Sequence, residues 1–365
     1  MTAPQPSPIK EWRDVDAAML AREIVARNQP AVIRGAANAW PMVRHFRDGP
    51  QALVDYLIGF DTGELVTTAI ADPSEQGRLV YKEGVKALNH GHSNEKLPNV
   101  LKGLIKMIDA PAPHGVWIGG LSAPDQLPGL QEENPSELIP PNTRANLWIG
   151  NAVTVPPHFD AADNLGFVVA GRRRFTLFPP DQVSNLYVGP FDLTPSGVPV
   201  SMPAHDAPDL ERYPRFREAL AHAQVGELEA GDAIYIPYLW WHGVQSLDRF
   251  NVLVNYWWYS DAVAAAHPYG ALLRASYELF RNMPQHHRDA WRHMYDHWVF
   301  GADGDPMAHL PSAQRSAPAP IDPEAIVTFK RLLGELLQSG RSMEWRTQED
   351  SNLWPLPSEG SALSS

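Results

Sequence analysis

The sequence predicts a mainly β protein with α additions: a sandwich or barrel in its middle third, with helices on either side. Three observations lead there. The middle third reads as short apolar runs, GVWIGG, ANLWIGN, NLGFVVAG, RRRFTLFPP, DAIYIPYLWW, HGVQSL and FNVLVNYWWY, broken by Gly, Pro, Asn and Asp. That is the pattern of short, closely spaced strands. The 35 Pro and 26 Gly favour turns over a helical bundle. The outer thirds instead carry apolar residues at i, i+3 and i+4.

Taken in order, residues 1–10 are Pro-rich and are expected to be a flexible N-terminus. Asp14 to Arg27 has helical spacing, and PAVIRGAA (Pro30 to Ala37) reads as a short strand with a Gly turn. AWPMVRHF and Pro50 to Phe60 suggest helices. Leu65 to Ile70 and Arg78 to Tyr81 suggest strands, and a helix is expected around Asn99 to Ile108. His90 and His92 fall in a Gly-containing stretch read as a loop. AGRR (Ala170 to Arg173) reads as a tight hairpin between NLGFVV and FTLF, and EAGD (Glu229 to Asp232) as a turn before a strand. From about Pro268 the pattern turns helical in YGALLRASYELFRNM, HRDAWRHMYDHWVF and PEAIVTFKRLLGELLQ, and SNLWPLPSEGSALSS reads as a tail. The expected organisation is a β-rich domain over 11–265, a helical region over 266–345 that could pair two copies of the chain, and a flexible tail over 346–365.

Composition removes several function classes. The formal net charge of -12 repels phosphate backbones, so no nucleic-acid partner is expected. The chain has 0 Cys, which excludes disulfides, thiolate zinc sites, iron–sulfur clusters and Cys nucleophiles. MTAPQPSPIKEW has no basic stretch followed by an apolar one, so no signal peptide is expected. No run reaches the ~18 apolar residues of a membrane span. A soluble, cytoplasmic protein without a membrane partner is the expectation.

Among the 14 His, one grouping carries chemistry. In TVPPHFDAADN, His158 and Asp160 are two apart, and on an extended strand such residues share a face. A third ligand must come from elsewhere. His242, in GDAIYIPYLWWHGVQSL, follows a Pro and two Trp at the end of an otherwise apolar strand, roughly 80 residues on, enough chain for the intervening strands. Two His and one carboxylate with the remaining positions open form the facial triad of non-haem Fe(II) oxygenases. The openness matters, because a chelating co-substrate and O2 both need room on the metal. Ligand type alone leaves Fe, Mn, Co and Ni open. His293 and His297 lie one helical turn apart, but HMYDH lacks the Glu of HExxH, and a packed or surface helix is the better reading.

The segments NLWIGNAVTVPPHFDAADNLGFVVAGRRRFTLFPPDQVSNLY, APDLERYPRF and GDAIYIPYLWWHGVQSLDRFNVLVNYWW resemble the cupin-like JmjC hydroxylases. They are particularly similar to the asparaginyl hydroxylase branch that inhibits hypoxia-inducible factor. PAVIRGAANAWPMV resembles that family's opening. The resemblance implies a double-stranded β-helix, the cupin or jelly-roll core, with helices packed outside and a C-terminal helical region that dimerises in relatives. It places His158, Asp160 and His242 on the iron ligands, and Asn164 and Asn255 on positions that contact 2-oxoglutarate or lie beside it. Trp117 falls near a position where the family often has a Tyr on the far carboxylate. Val155 stands where a hydroxyl residue is usual, and Thr154 would compensate if the register shifted by one.

Arg173 stands where the family places a Lys against the far carboxylate of 2-oxoglutarate. Arg can grip a carboxylate through two parallel hydrogen bonds, so the role survives the exchange. The alternative is that Arg173 swings outward with Arg172 and Arg174 as a solvated turn. The implied activity is hydroxylation of a protein or peptide side chain or of a small molecule, with Fe(II), 2-oxoglutarate and O2 consumed together and succinate and CO2 released. Trp240, Trp241, Trp257 and Trp258 are candidate walls, of which alternation along strands allows at most half. Two other readings stay open: a metal-binding cupin enzyme that uses no 2-oxoglutarate, and a catalytically silent binding module.

Overall fold

The apolar runs of the middle third are buried on two faces at once, and they stack into two sheets with a shared interior. The computed structural model describes residues 3–191, 193–195, 198–259, 269–302 and 304–311, with 331 and 334. The strands are β1 Ser7–Pro8, β2 Lys10–Trp12, β3 Ala31–Ile33, β4 Leu65–Ala71, β5 His90–Lys96, β6 Gly115–Ser122 and β7 Ala145–Gly150. They continue as β8 Thr154–His158, β9 Asp163–Ala170, β10 Arg173–Phe178, β11 Gln224–Leu228, β12 Ala233–Ile236, β13 Trp241–Ser246 and β14 Asn251–Trp258. The smaller sheet runs β1-β11-β10-β13-β8, and the larger runs β2-β3-β12-β9-β14-β7-β6-β4-β5. From β8 the chain steps back and forth between the two, apart from β10 and β11, which are neighbours in the smaller sheet, and this is the winding of a jelly roll.

Alternation along each strand divides the side chains between two cores. Phe167, Tyr235 and Leu147 of the larger sheet face outward, onto Leu53 and Leu57 of the helix Pro50–Ile58 and Leu101 and Leu104 of the helix Leu97–Lys106. Val168, Ile234 and Leu253 face inward and meet Phe175 and Leu177 of the smaller sheet. Because the helices cover its outer face, β9 is apolar along most of its length and does not alternate in sequence.

Several sequence expectations change. AGRR is not a hairpin, because β9 and β10 lie in different sheets and do not pair. The chain turns the corner at Gly171, whose φ is +71° and where a β-carbon would stand 2.4 Å from Asn251 Oδ1. Residues 3–10 are not a free end: β1 pairs with β11, β2 with β3, and Ile9 between them is buried. The helix expected from Asp14 begins at Ala17, since Asp14 has a positive φ of 52° and Asp16 caps the turn by accepting from Met19 N at 2.7 Å. It then continues through wider and tighter turns to Arg27, with Leu20 and Ile24 buried one turn apart.

Arg78 to Tyr81 makes only isolated bridges, at Thr154 and Leu88, because its backbone meets β8 at a single crossing. His90 and His92 are not in a loop but on β5, the end strand of the larger sheet, where a polar sequence is tolerated because one edge has no strand beyond it.

By contacts the chain divides into Met1–Ala265 and Ala266–Ser365. In the second unit the helices Tyr269–Phe280 and Gln285–Trp298 are described, with Phe280 against Trp291 at 5.4 Å and Tyr295 at 5.8 Å. PEAIVTFKRLLGELLQ and the 346–365 tail lie outside the described residues, apart from Arg331 and Gly334, and much of the basis for the expected dimer lies there too. Among the described residues no helix is long and apolar enough to cross a membrane.

Candidate metal centre

β8 and β13 are antiparallel neighbours whose register sets His158 directly opposite His242. The two rings face each other with centroids 4.3 Å apart. β8 ends at His158, so Asp160 lies just past the strand and not on it. The alternation persists nonetheless. Phe159 turns to the other side against Trp241, at 4.9 Å, and Asp160 returns to the pocket. His242 likewise does not end an apolar strand. β12 ends at Ile236, the chain crosses at Pro237 to Trp240, and His242 is the second residue of β13 in the opposite sheet.

The hydrogen bonds settle which ring nitrogens are available. His158 Nδ1 lies 3.0 Å from Pro156 O, and His242 Nδ1 lies 3.1 Å from Trp240 O. A carbonyl can only accept, so each Nδ1 carries the proton and each Nε2 presents its lone pair. His242 Nε2 is 3.5 Å from Asp160 Oδ2, and the ligand atoms of all three residues lie within 4.8 Å of one another. Among the described residues no other His, Asp and Glu group meets that condition. Burial, then the neighbouring His242, pushes His158 down to about 4, so it is neutral at pH 7, as a ligand must be. Two lone pairs and a carboxylate turned on one another repel unless a cation sits between them. The donor set and its geometry therefore fit a metal ion.

Asp160 is held from behind. Its Oδ2 accepts from Trp257 Nε1 at 3.0 Å and from Asn164 Nδ2 at 3.1 Å. At the other end of the same pocket stands Arg173, only 4% exposed. Its Nη2 donates to Trp148 O at 2.9 Å, and its Nε is buried without a partner. Its neighbours in sequence point outward to carboxylates, Arg172 to Asp248 and Arg174 to Glu227. Arg173 points inward and, among the described residues, has none. Burial alone pushes it down to about 9, which leaves it cationic at neutral pH. A buried cation without an anion is costly, and an anionic ligand would remove that cost. The pocket thus has the three candidate metal ligands at one end and a cation at the other, walled by Trp117, Val155, Phe175, Ile234 and Leu253. Those two ends fit a dicarboxylate that also binds the metal.

Residues 17–263 match a family model described as a cupin-like domain. The chain belongs to the cupin-like family, of the JmjC type. Human HSPB1-associated protein 1 is 38% identical over 115 residues, 31% of this chain and 23% of that protein. Lysine-specific demethylase JMJ31 of Arabidopsis thaliana is 37% identical over 117 residues, 32% and 21%. Mouse tRNA wybutosine-synthesizing protein 5 is 40% identical over 101 residues, 28% and 29%. The matched stretch thus spans less than a third of each relative. The names cover different activities, so they support the family and no single branch of it, the asparaginyl hydroxylase branch included.

Within this cupin-like pocket the remaining expected residues are placed as follows. Asn164, Asn255 and Trp117 line it. The two amides are engaged with each other, Asn255 Nδ2 donating to Asn164 Oδ1 at 3.0 Å. Thr154 does not face the pocket. Val155 pairs with Val244 and lines it, and Thr154, one residue out of phase, pairs with Gln245 on the opposite face. The register shift between the Val155 and His158 pairs turns Val155, and not the Thr154 hydroxyl, inward. Of the four candidate wall tryptophans, only Trp257 lines the pocket. Trp240 belongs to the core between the sheets, Trp241 to a cluster around Phe178 and Phe216, and Trp258 packs on Tyr235.

Sequence reasoning missed Trp148, which lines the pocket, stacks on Trp117 at 5.6 Å and donates from Nε1 to Asn255 Oδ1 at 2.7 Å. The signal was in NLWIG, where Asn146, Trp148 and Gly150 share a face. Which face turns inward depends on pairing with β14, which the sequence does not state.

Proposed function

We propose that this chain is an Fe(II)- and 2-oxoglutarate-dependent oxygenase that hydroxylates a protein or peptide side chain or a small molecule, releasing succinate and CO2. The observation that carries the reading is Arg173: a buried cation with no carboxylate partner among the described residues, in the same pocket as the His158, Asp160 and His242 cluster. A metal site alone would need no such cation. The JmjC-type family membership supports the same reading.

His158, Asp160 and His242 would hold the metal through two Nε2 atoms and one carboxylate oxygen. Arg173 would hold the far carboxylate of the keto acid, with Nε–H as a free donor. The apolar walls exclude water and strengthen that ion pair. Trp257 and Asn164 keep Asp160 turned toward the two histidines. Bound iron with the keto acid and O2 supplies the oxidising power, and the protein supplies position and a dry site.

The test is an anaerobic visible spectrum of the protein with Fe(II) and 2-oxoglutarate. A metal-to-ligand charge-transfer band is expected in the wild type. It should be absent in Asp160→Ala and should need more keto acid in Arg173→Ala. Iron binding without a band at saturating keto acid overturns the co-substrate, and a metal-binding cupin enzyme without 2-oxoglutarate takes its place. Absence of metal binding leaves the silent binding module.

A further inference from the structure

The pocket contains a chain of hydrogen bonds that runs in one direction. Trp148 Nε1 donates to Asn255 Oδ1 at 2.7 Å, Asn255 Nδ2 to Asn164 Oδ1 at 3.0 Å, and Asn164 Nδ2 to Asp160 Oδ2 at 3.1 Å. Asn255 is 1% exposed and Asn164 6%, so neither amide can turn to water for a substitute partner. An Asn amide can sit either way round, and on its own nothing decides between the two. Here both ends decide. An indole N–H can only donate and a carboxylate can only accept. Asn255 must therefore turn its oxygen to Trp148, which commits its nitrogen to Asn164, which in turn commits the nitrogen of Asn164 to Asp160.

Trp148 also touches the other end of the pocket, since its backbone carbonyl takes the Nη2 of Arg173 at 2.9 Å. One residue of β7 thus bonds to the cation directly and reaches Asp160 through two amides. Removing the indole N–H would leave Asn255 Oδ1 buried and unsatisfied and would release the constraint on both amides. A flipped Asn164 would then set its oxygen against Asp160 Oδ2.

We propose that Trp148 is a positioning residue that orients Asp160 for the metal by polarising the Asn255 and Asn164 amides. The inference rests on the metal-binding half of the proposed function and is independent of the keto acid. Partners of this kind, one bond removed from the metal, typically change metal affinity about 10- to 100-fold when lost.

The experiment is titration of the chelator-stripped protein with Co(II), followed by its visible d–d bands, in the absence of any keto acid. Trp148→Phe keeps an aromatic ring against Trp117 and removes the N–H together with part of the indole's volume, a loss that the Trp40→Phe control below shares. It is expected to bind Co(II) about 10- to 100-fold more weakly with altered band positions. Asn255→Leu breaks the middle link and should do the same. The double variant should be little worse than either single one, because both lesions cut one chain. Trp40→Phe is the control. It removes a different buried indole bond, to Pro135 O at 2.7 Å in the helix-covered core. It should lower thermal stability and leave the Co(II) affinity and spectrum unchanged. Trp148→Phe with wild-type affinity and spectrum overturns the inference, as does an additive loss in the double variant. A wild type that binds no Co(II) overturns the metal-dependent function itself, and this inference with it.

Discussion

The imidazole of His205 lies against the Cα of Gly243: a β-carbon built on Gly243 would stand 2.7 Å from His205 Cε1. Gly243 follows the candidate ligand His242 on β13, with its missing side chain directed away from the pocket. His205 belongs to the long connection between β10 and β11, and its neighbour Asp206 is gripped by both terminal nitrogens of Arg78 at 2.8 Å each. The connection is therefore pressed onto the strand that carries the candidate ligand His242. Gly243→Ala should cost about 1–3 kcal/mol by overpacking and weaken metal binding by displacing His242. Adding His205→Ala should restore much of both. Urea unfolding and metal titration of the two single variants and the double one check this. Purely additive losses would mean that the two residues do not press on each other.

Arg173 should weaken the ligand-free protein. Replacing an unpaired buried cation by an apolar side chain of similar length removes a desolvation cost, and exchanges of buried ions for apolar residues often stabilise by about 1–4 kcal/mol. Arg173→Met is expected to unfold at higher urea concentration than the wild type when both are free of metal and keto acid. With Mn(II) present, millimolar 2-oxoglutarate should then raise the melting temperature of the wild type and leave that of the variant unchanged. A variant less stable than the wild type would show instead that the bond from Arg173 to Trp148 O serves stability.

The metal-free protein should lose stability as pH falls from about 6.5 to 4. Burial holds both His158 and His205 at about 4 in the folded state, against ~6.5 when unfolded. Between those values the unfolded chain binds more protons than the folded one. Stability is therefore complete above about 6.5 and declines as pH drops toward 4. Each such group can contribute up to roughly 3 kcal/mol over that window. His205→Gln should flatten the profile measured by urea unfolding in the presence of a chelator. An unchanged slope would remove His205 from the account.

Much of the site could be read before the fold was known, for a simple reason. The spacing of His158 and Asp160 is a local property, because side chains two apart on an extended backbone share a side, and this held even though β8 stops at His158. Arg172, Arg173 and Arg174 could be sorted only in part. Alternation says that the middle one differs from its neighbours, and the structure sends it inward because the outer two find Asp248 and Glu227. Thr154 lies four residues before His158 and would share its face on a regular strand, but the register shift between the Val155–Val244 and His158–His242 pairs turns Val155 inward instead, and a bulge of that kind follows from strand pairing and not from local spacing.

The sequence by itself determined the β-rich core with helices at its ends, the absence of any thiolate chemistry, and a short list of candidate ligands. Periodicity, composition and residue type are local quantities, and local quantities suffice for these. Tertiary structure decided what depends on which strand meets which. AGRR became a corner between sheets, His242 came to lie near the start of a new strand opposite His158, and His90 and His92 joined an edge strand. It also decided that Trp148 would reach Asp160 through two asparagines. A hydrogen-bond chain across β7, β14 and β9 exists only once their register is set, and register comes from burying the whole apolar face of a sheet, which no single segment encodes.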